Sequence, residues 1–166
     1  IQAVPEHPII FWWPPSSYEM FGKHSVIGDS SPARAAQSTS GNERFLLQHW
    51  ETDKSVLYVR RSGDERPNGK YSWVPCINGA AGREWVEPLF EIVRWSRDGL
   101  EMRVKKQLLG QGTGSLASEE FFFLQGVAFS MIGSAFSARC HRFLSTFADK
   151  GNSLFPKARS AVVCLL

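Results

Sequence analysis

Asp98-Gly99 is the feature that most narrows the folds open to this chain. Both central residues of a type I′ turn need positive φ, and an Asp-Gly pair between alternating residues is the strongest short-range hairpin signal. With the turn placed there, Arg97 faces Leu100, Trp95 faces Met102, Arg94 faces Arg103 and Val93 faces Val104. Alternation gathers Val93, Trp95, Leu100, Met102 and Val104 on one face, and Ile92, Arg94, Ser96, Glu101, Arg103 and Lys105 on the other. The stretch 91–106 therefore reads as a hairpin with an apolar face that needs a core and a cationic face that does not. Arg94 set directly against Arg103 is destabilising unless Glu101 or an anionic partner relieves it.

The 166 residues are enough for one domain with a full core. Twelve Phe and six Trp supply much of the core-forming area. A net charge of +3 is too mild to indicate a nucleic-acid partner by itself, so an electrostatic argument must rest on clustering. Cys76, Cys140 and Cys164 are far apart and odd in number, without a CxxC or Cys/His ligand spacing. That pattern argues against a metal site or a disulfide framework and fits a reducing cytoplasm. Residues 1–15 lack the basic region and small-residue cleavage site of a signal peptide.

Along the chain, residues 1–43 read as an irregular arm broken by Pro5, Pro8, Pro14, Pro15 and Pro32 and packed on the domain through Ile9 to Trp13. Residues 44–166 read as a single α+β domain. Strands are expected over 44–51 and 55–61, joined as a hairpin by Thr52-Asp53-Lys54, then over 70–74, stopped by Pro75. Trp85-Val86 opens a short edge strand before the 91–106 hairpin. The sum is an antiparallel meander of five to six strands within 44–106. Ser118 is placed as an N-cap, and a helix is expected over about 118–148, ended by Gly151. Residues 121–138 carry no charge. That run can be read as a membrane span, but Gln125, three Ser and two Gly hold its hydrophobicity down, so it is read as a buried helix packed on the sheet. Residues 161–166 are expected to add a final strand.

The cationic hairpin face is the leading binding candidate. Arg94, Arg103 and Lys105 would hold phosphates, with Arg97 at the turn and Arg60 and Arg61 extending the track. The implied function is a non-enzymatic binding protein that meets nucleic acid or a nucleoprotein complex, with no metal, no cofactor and no catalytic residue. His7, His24, His49 and His141 are scattered and acquire no partner in the sequence.

A second constellation is the glycine loop. Gln107-Leu108-Leu109-Gly110-Gln111-Gly112 resembles the Q/R-x-x-G-x-G/A acyl-CoA loop of the GCN5-related N-acetyltransferase family. The resemblance implies a small acyltransferase in which Gln107, Gly110, Gly112 and Gly114 hold the acyl-CoA pyrophosphate through backbone N–H groups. In that family the loop follows the last strand of an antiparallel run. A third reading, a structural or oligomeric protein that self-associates through its aromatic surplus or its small-residue stripe, also stays open.

Overall fold

The structure, a computed structural model, describes residues 12–35, 39, 41–63, 65–79, 87–109, 116–130 and 136–157. Its elements in chain order are α1 (Pro15–Lys23), α2 (Ile27–Ser30), β1 (Ala33–Arg34), α3 (Asn42–Phe45), β2 (Leu46–Gln48), β3 (Trp73–Ile77), β4 (Glu91–Arg94), α4 (Ser96–Leu109), β5 (Val127–Phe129), β6 (Ala138–Cys140), β7 (Thr146–Phe147) and β8 (Ser153–Leu154). Among the described residues the strands form two four-stranded sheets, so the molecule is mixed α and β. The first has the order β1-β8-β5-β6 and is antiparallel throughout. The second has the order β2-β4-β3-β7, antiparallel except for the parallel β3–β7 pair.

The expected hairpin is corrected in its second half. β4 forms where the alternation put it, and Arg97, Asp98 and Gly99 do take positive φ, at 52°, 56° and 71°. The chain then continues into α4 instead of returning as a strand. Two causes combine. Both hydrogen-bonding edges of β4 are already taken, by β2 through Leu46↔Val93 and by β3 through Val74↔Val93. The residues after the turn, Leu100 to Lys106, are mostly strong helix formers. Gly99 sits tightly in the turn: a Cβ there would lie 3.2 Å from the Trp95 ring and 3.3 Å from Met102 Cε.

The expected helix over 118–148 is also corrected. Only a short 3₁₀ turn, Glu119–Phe121, follows Ser118 there, and the strands β5, β6 and β7 lie within the rest of its described span. Ser118 does not cap through its side chain. Its Oγ donates to the Ala35 carbonyl instead, at 2.9 Å. Phe123 has φ of 63°, which a right-handed helix does not contain. An uncharged run suits a strand buried on both faces as well as a buried helix, and Val127 and Ala128 are both buried. Gly126 permits a close approach, since a Cβ there would fall 2.6 Å from the Leu154 carbonyl oxygen.

Smaller corrections have local causes. Residues 44–61 do not make a hairpin: two 3₁₀ turns, His49–Glu51 and Lys54–Val56, replace its facing ends. Side-chain bonds favour those turns, from Gln48 N–H to Glu51 Oε2 at 2.6 Å and from Ser55 N–H to Asp53 Oδ1 at 2.8 Å. β3 runs through Pro75 instead of stopping before it. β7 pairs with β3 only at Cys76 and Ile77; on that side Pro75 contributes its carbonyl, which accepts from Thr146 Oγ1 at 3.4 Å, so its missing N–H breaks no ladder bond to β7. The expected strands at Trp85-Val86 and over 161–166 lie outside the described residues.

The core is aromatic. Phe122 stands edge-to-face against Trp95 at 5.7 Å and Phe147 at 5.4 Å, and Phe45, Val74 and Val93 are fully buried beside them. A second tie joins the sheets. Arg139 of β6 is fully buried, ion-paired with buried Glu87, and donates to the carbonyl of Gly79 just beyond β3. Among the described residues no helix is long and apolar enough to cross a membrane.

Candidate nucleic-acid interface

The left-handed turn at 97–99 brings the rest of α4 beside α3 and the end of β4, and this sets the charged side chains. Glu101, one turn into α4, forms an ion pair with Arg94 of β4, Nε to Oε2 at 3.2 Å, and also pairs with Arg44 of α3. Two guanidinium groups thus share one carboxylate. Both stay substantially in solvent, Arg44 at 66% and Arg94 at 45% side-chain exposure. Lys105, one turn further along α4, lays its ammonium over the Phe45 ring at 5.2 Å, and the Arg44 guanidinium sits 5.7 Å from the same ring. Beside these groups lies a cleft of about 300 Å³ lined by Arg44, Phe45, Glu101, Val104, Lys105 and Leu108. A larger cleft of about 570 Å³ shares Arg44 and is lined further by Asn42, Glu43, Asn78, Asp149 and Lys150.

The residues singled out by sequence part company here. Arg94 and Lys105 come to the same neighbourhood, joined through Arg44. Arg103 does not face Arg94; it donates to the Asp98 carbonyl at 2.9 Å and forms a two-pronged pair with Glu119. Arg97 is exposed on the left-handed turn. Arg60 and Arg61 are exposed on another segment, where the Arg60 carbonyl accepts from Leu144 N–H at 2.8 Å and the Arg61 carbonyl from Gln125 Nε2 at 2.9 Å. Arg44 was missed. Its link to Glu101 spans 57 residues, and no local pattern announces it.

Gln107 is exposed near the end of α4, and Gly110, Gly112 and Gly114 lie outside the described residues. The stretch entering that loop is helical, whereas the acyltransferase resemblance calls for a strand, so that part of the expectation is corrected.

Ionisable groups elsewhere are tuned by burial. Burial pushes the Tyr58 phenol and the Cys140 thiol up, away from reactive anions. His141, fully enclosed, is driven down to about 4 by burial, against the pull of the Leu124 carbonyl. Among the described residues no group of three or more His, Cys, Asp or Glu is arranged to hold a metal ion.

No family model matches the chain. Over 164 residues it is 25% identical to the adenine-specific methyltransferase BrxX of Escherichia coli O9:H4 (strain HS), an alignment covering 98% of this chain. The chain spans 12% of that curated relative's length. The similarity corrects the expectation of a non-enzymatic binding protein, because the protein it points to is an enzyme.

Proposed function

We propose that the chain serves as a substrate-holding segment of an enzyme that methylates adenine, with nucleic acid as its partner. The observation that carries this reading is the extent of the similarity: it runs through 98% of the chain, so both sheets and the cation cluster fall within the matched stretch. Chemistry on a base inside a duplex requires that the base be taken out of the stack. An enzyme that does so needs contacts to the phosphates that hold the strand in register. Arg44 and Arg94, sharing Glu101 while remaining exposed, supply guanidinium forks suited to phosphate oxygens.

Two measurements test the reading. Fluorescence anisotropy of the chain with a labelled adenine-containing oligonucleotide should show salt-dependent binding. Replacing Arg44 and Arg94 together with Ala should weaken it and shallow the log–log salt slope by roughly one to two. An absence of binding at low salt, or an unchanged slope in the double variant, would overturn the assignment of these two residues. Exchanging the matching stretch of the E. coli enzyme for this chain should preserve adenine methylation above that of a deletion. A folded chimera no better than the deletion would remove the enzymatic reading.

A further inference from the structure

The far end of the β2–β4 strand pair carries a feature that the charge cluster does not use. Trp50, on the 3₁₀ turn His49–Glu51, is 62% exposed. It is nevertheless held on two sides. The Phe90 ring stands edge-to-face against it at 5.6 Å and 83°, and the His49 ring at 5.0 Å and 80°. The ladder fixes this trio, since His49 N–H donates to the Phe90 carbonyl at 3.0 Å, one step beyond the Gln48↔Glu91 pair. Side-chain alternation puts Phe90 on the same face of the strand as Arg94. Arg94 in turn pairs in register with Trp73 of β3. Phe90, with Trp50 standing against it in solvent, and Arg94 thus lie on one side of the strand about 13 Å apart, with fully buried Ile92 between them.

We propose that Trp50 is a stacking platform for an unpaired base of the nucleic-acid substrate. The proposal rests on the functional reading above and deepens it. Single exposed apolar side chains are common, and Trp12 and Phe136 are more exposed than Trp50; what sets Trp50 apart is that two rings hold its indole edge-on while its face stays open. A base covers it with a π-face of matching size, and a phosphate further along the strand, not that of the stacked nucleotide, comes within reach of Arg94. Bases stack on aromatic side chains in proteins that hold single strands, where an interleaved cation tracks the backbone. The edge-to-face contacts fix the indole plane beforehand, so little side-chain freedom is lost on stacking.

The test uses the chain with a short single-stranded oligo-adenylate, its abasic counterpart and a duplex. Trp50→Ala should weaken binding of the oligo-adenylate roughly tenfold, leave the abasic strand unaffected and change the duplex little. Trp50→Phe should restore most of the loss. Equal losses on the adenylate and abasic strands, an indifferent Trp50→Ala, or no rescue by Phe would each overturn the platform. In those cases salt-dependent binding through Arg44 and Arg94 would still stand. Failure of the chain to bind any strand would sink both readings. Light scattering supplies the remaining control, since a dimer dissociated by Trp50→Ala would show that a second copy covers the indole and would exclude the base.

Discussion

His141 shows what a single buried side chain does to the pH response. Its Nε2 lies 3.0 Å from Ser153 Oγ, which itself donates to the Gly151 carbonyl at 2.9 Å. The serine proton is thus committed, and the neutral ring donates from Nε2. A second proton would sit on Nδ1, 3.4 Å from the Leu124 carbonyl, in a site walled by the Phe155 ring. Folding lowers the pKa from 6.5 to about 4. Above pH 6.5 the ring is neutral whether folded or unfolded, and stability is unaffected. Between 6.5 and about 4 the unfolded chain takes up a proton that the folded chain refuses, so stability falls as pH falls. The loss levels off at about 3 kcal/mol, the free-energy equivalent of the difference in proton affinity between the two states. Urea unfolding at a series of pH values should show this slope, and His141→Gln should flatten it while lowering stability at neutral pH. A slope that survives the substitution would place the response on another group.

At the scale of elements, the turn into α4 is the informative one. Arg97 is an ordinary residue held at φ of 52°, which costs about 1–2 kcal/mol relative to a right-handed conformation. Arg97→Gly should therefore raise stability modestly, by up to about 1 kcal/mol after glycine's extra unfolded-state entropy is set against it, seen as a higher melting temperature. Gly99→Ala should lower stability by roughly 1–3 kcal/mol, because it combines positive φ with the close approach of Trp95 and Met102. Equal and opposite results would show that the turn is not strained. The same turn marks how far the fold could be read from sequence. The positive φ at Asp98-Gly99 and the strand before it are local properties, and they were legible. The direction taken by Leu100 to Lys106 was not, because that run alternates like a strand and is composed like a helix. What decides it is that β3, from far upstream, already occupies the edge of β4. The uncharged stretch after residue 120 failed for a related reason, since buried strands and buried helices share a composition. At the candidate site, Glu101 does pair with Arg94, but the Arg94–Arg103 repulsion it was expected to relieve does not arise, because Arg103 turns to Glu119. Arg44 and Trp50 depend on pairings between distant segments.

For the whole molecule, the question is what makes two small sheets one cooperative unit. Part of the answer is Arg139, which sits in the first sheet and bonds to Glu87 and to the Gly79 carbonyl just past the second. Both charged groups are buried, so removing one deprives the other of its opposite charge in a site shut off from solvent. Arg139→Ala should cost about 3–5 kcal/mol, and replacing both partners with apolar residues of similar volume should cost much less. Thermal unfolding followed by tryptophan fluorescence and by far-ultraviolet circular dichroism should coincide in the parent chain and separate in Arg139→Ala. Coincident transitions in the variant would show that the aromatic core suffices to couple the sheets.

β1 completes the first sheet only by meeting β8, and the Lys157 ammonium fastens that seam to the Asp29 carbonyl across 128 residues of chain. A polypeptide emerging from the ribosome therefore exposes β1 long before β8 and must keep it unpaired until β8 has been synthesised. During that interval β1 and β5 present raw edges to any neighbouring chain. Such distant closure slows folding. Cutting the gene short before β8 would yield an insoluble product, however well the second sheet was assembled.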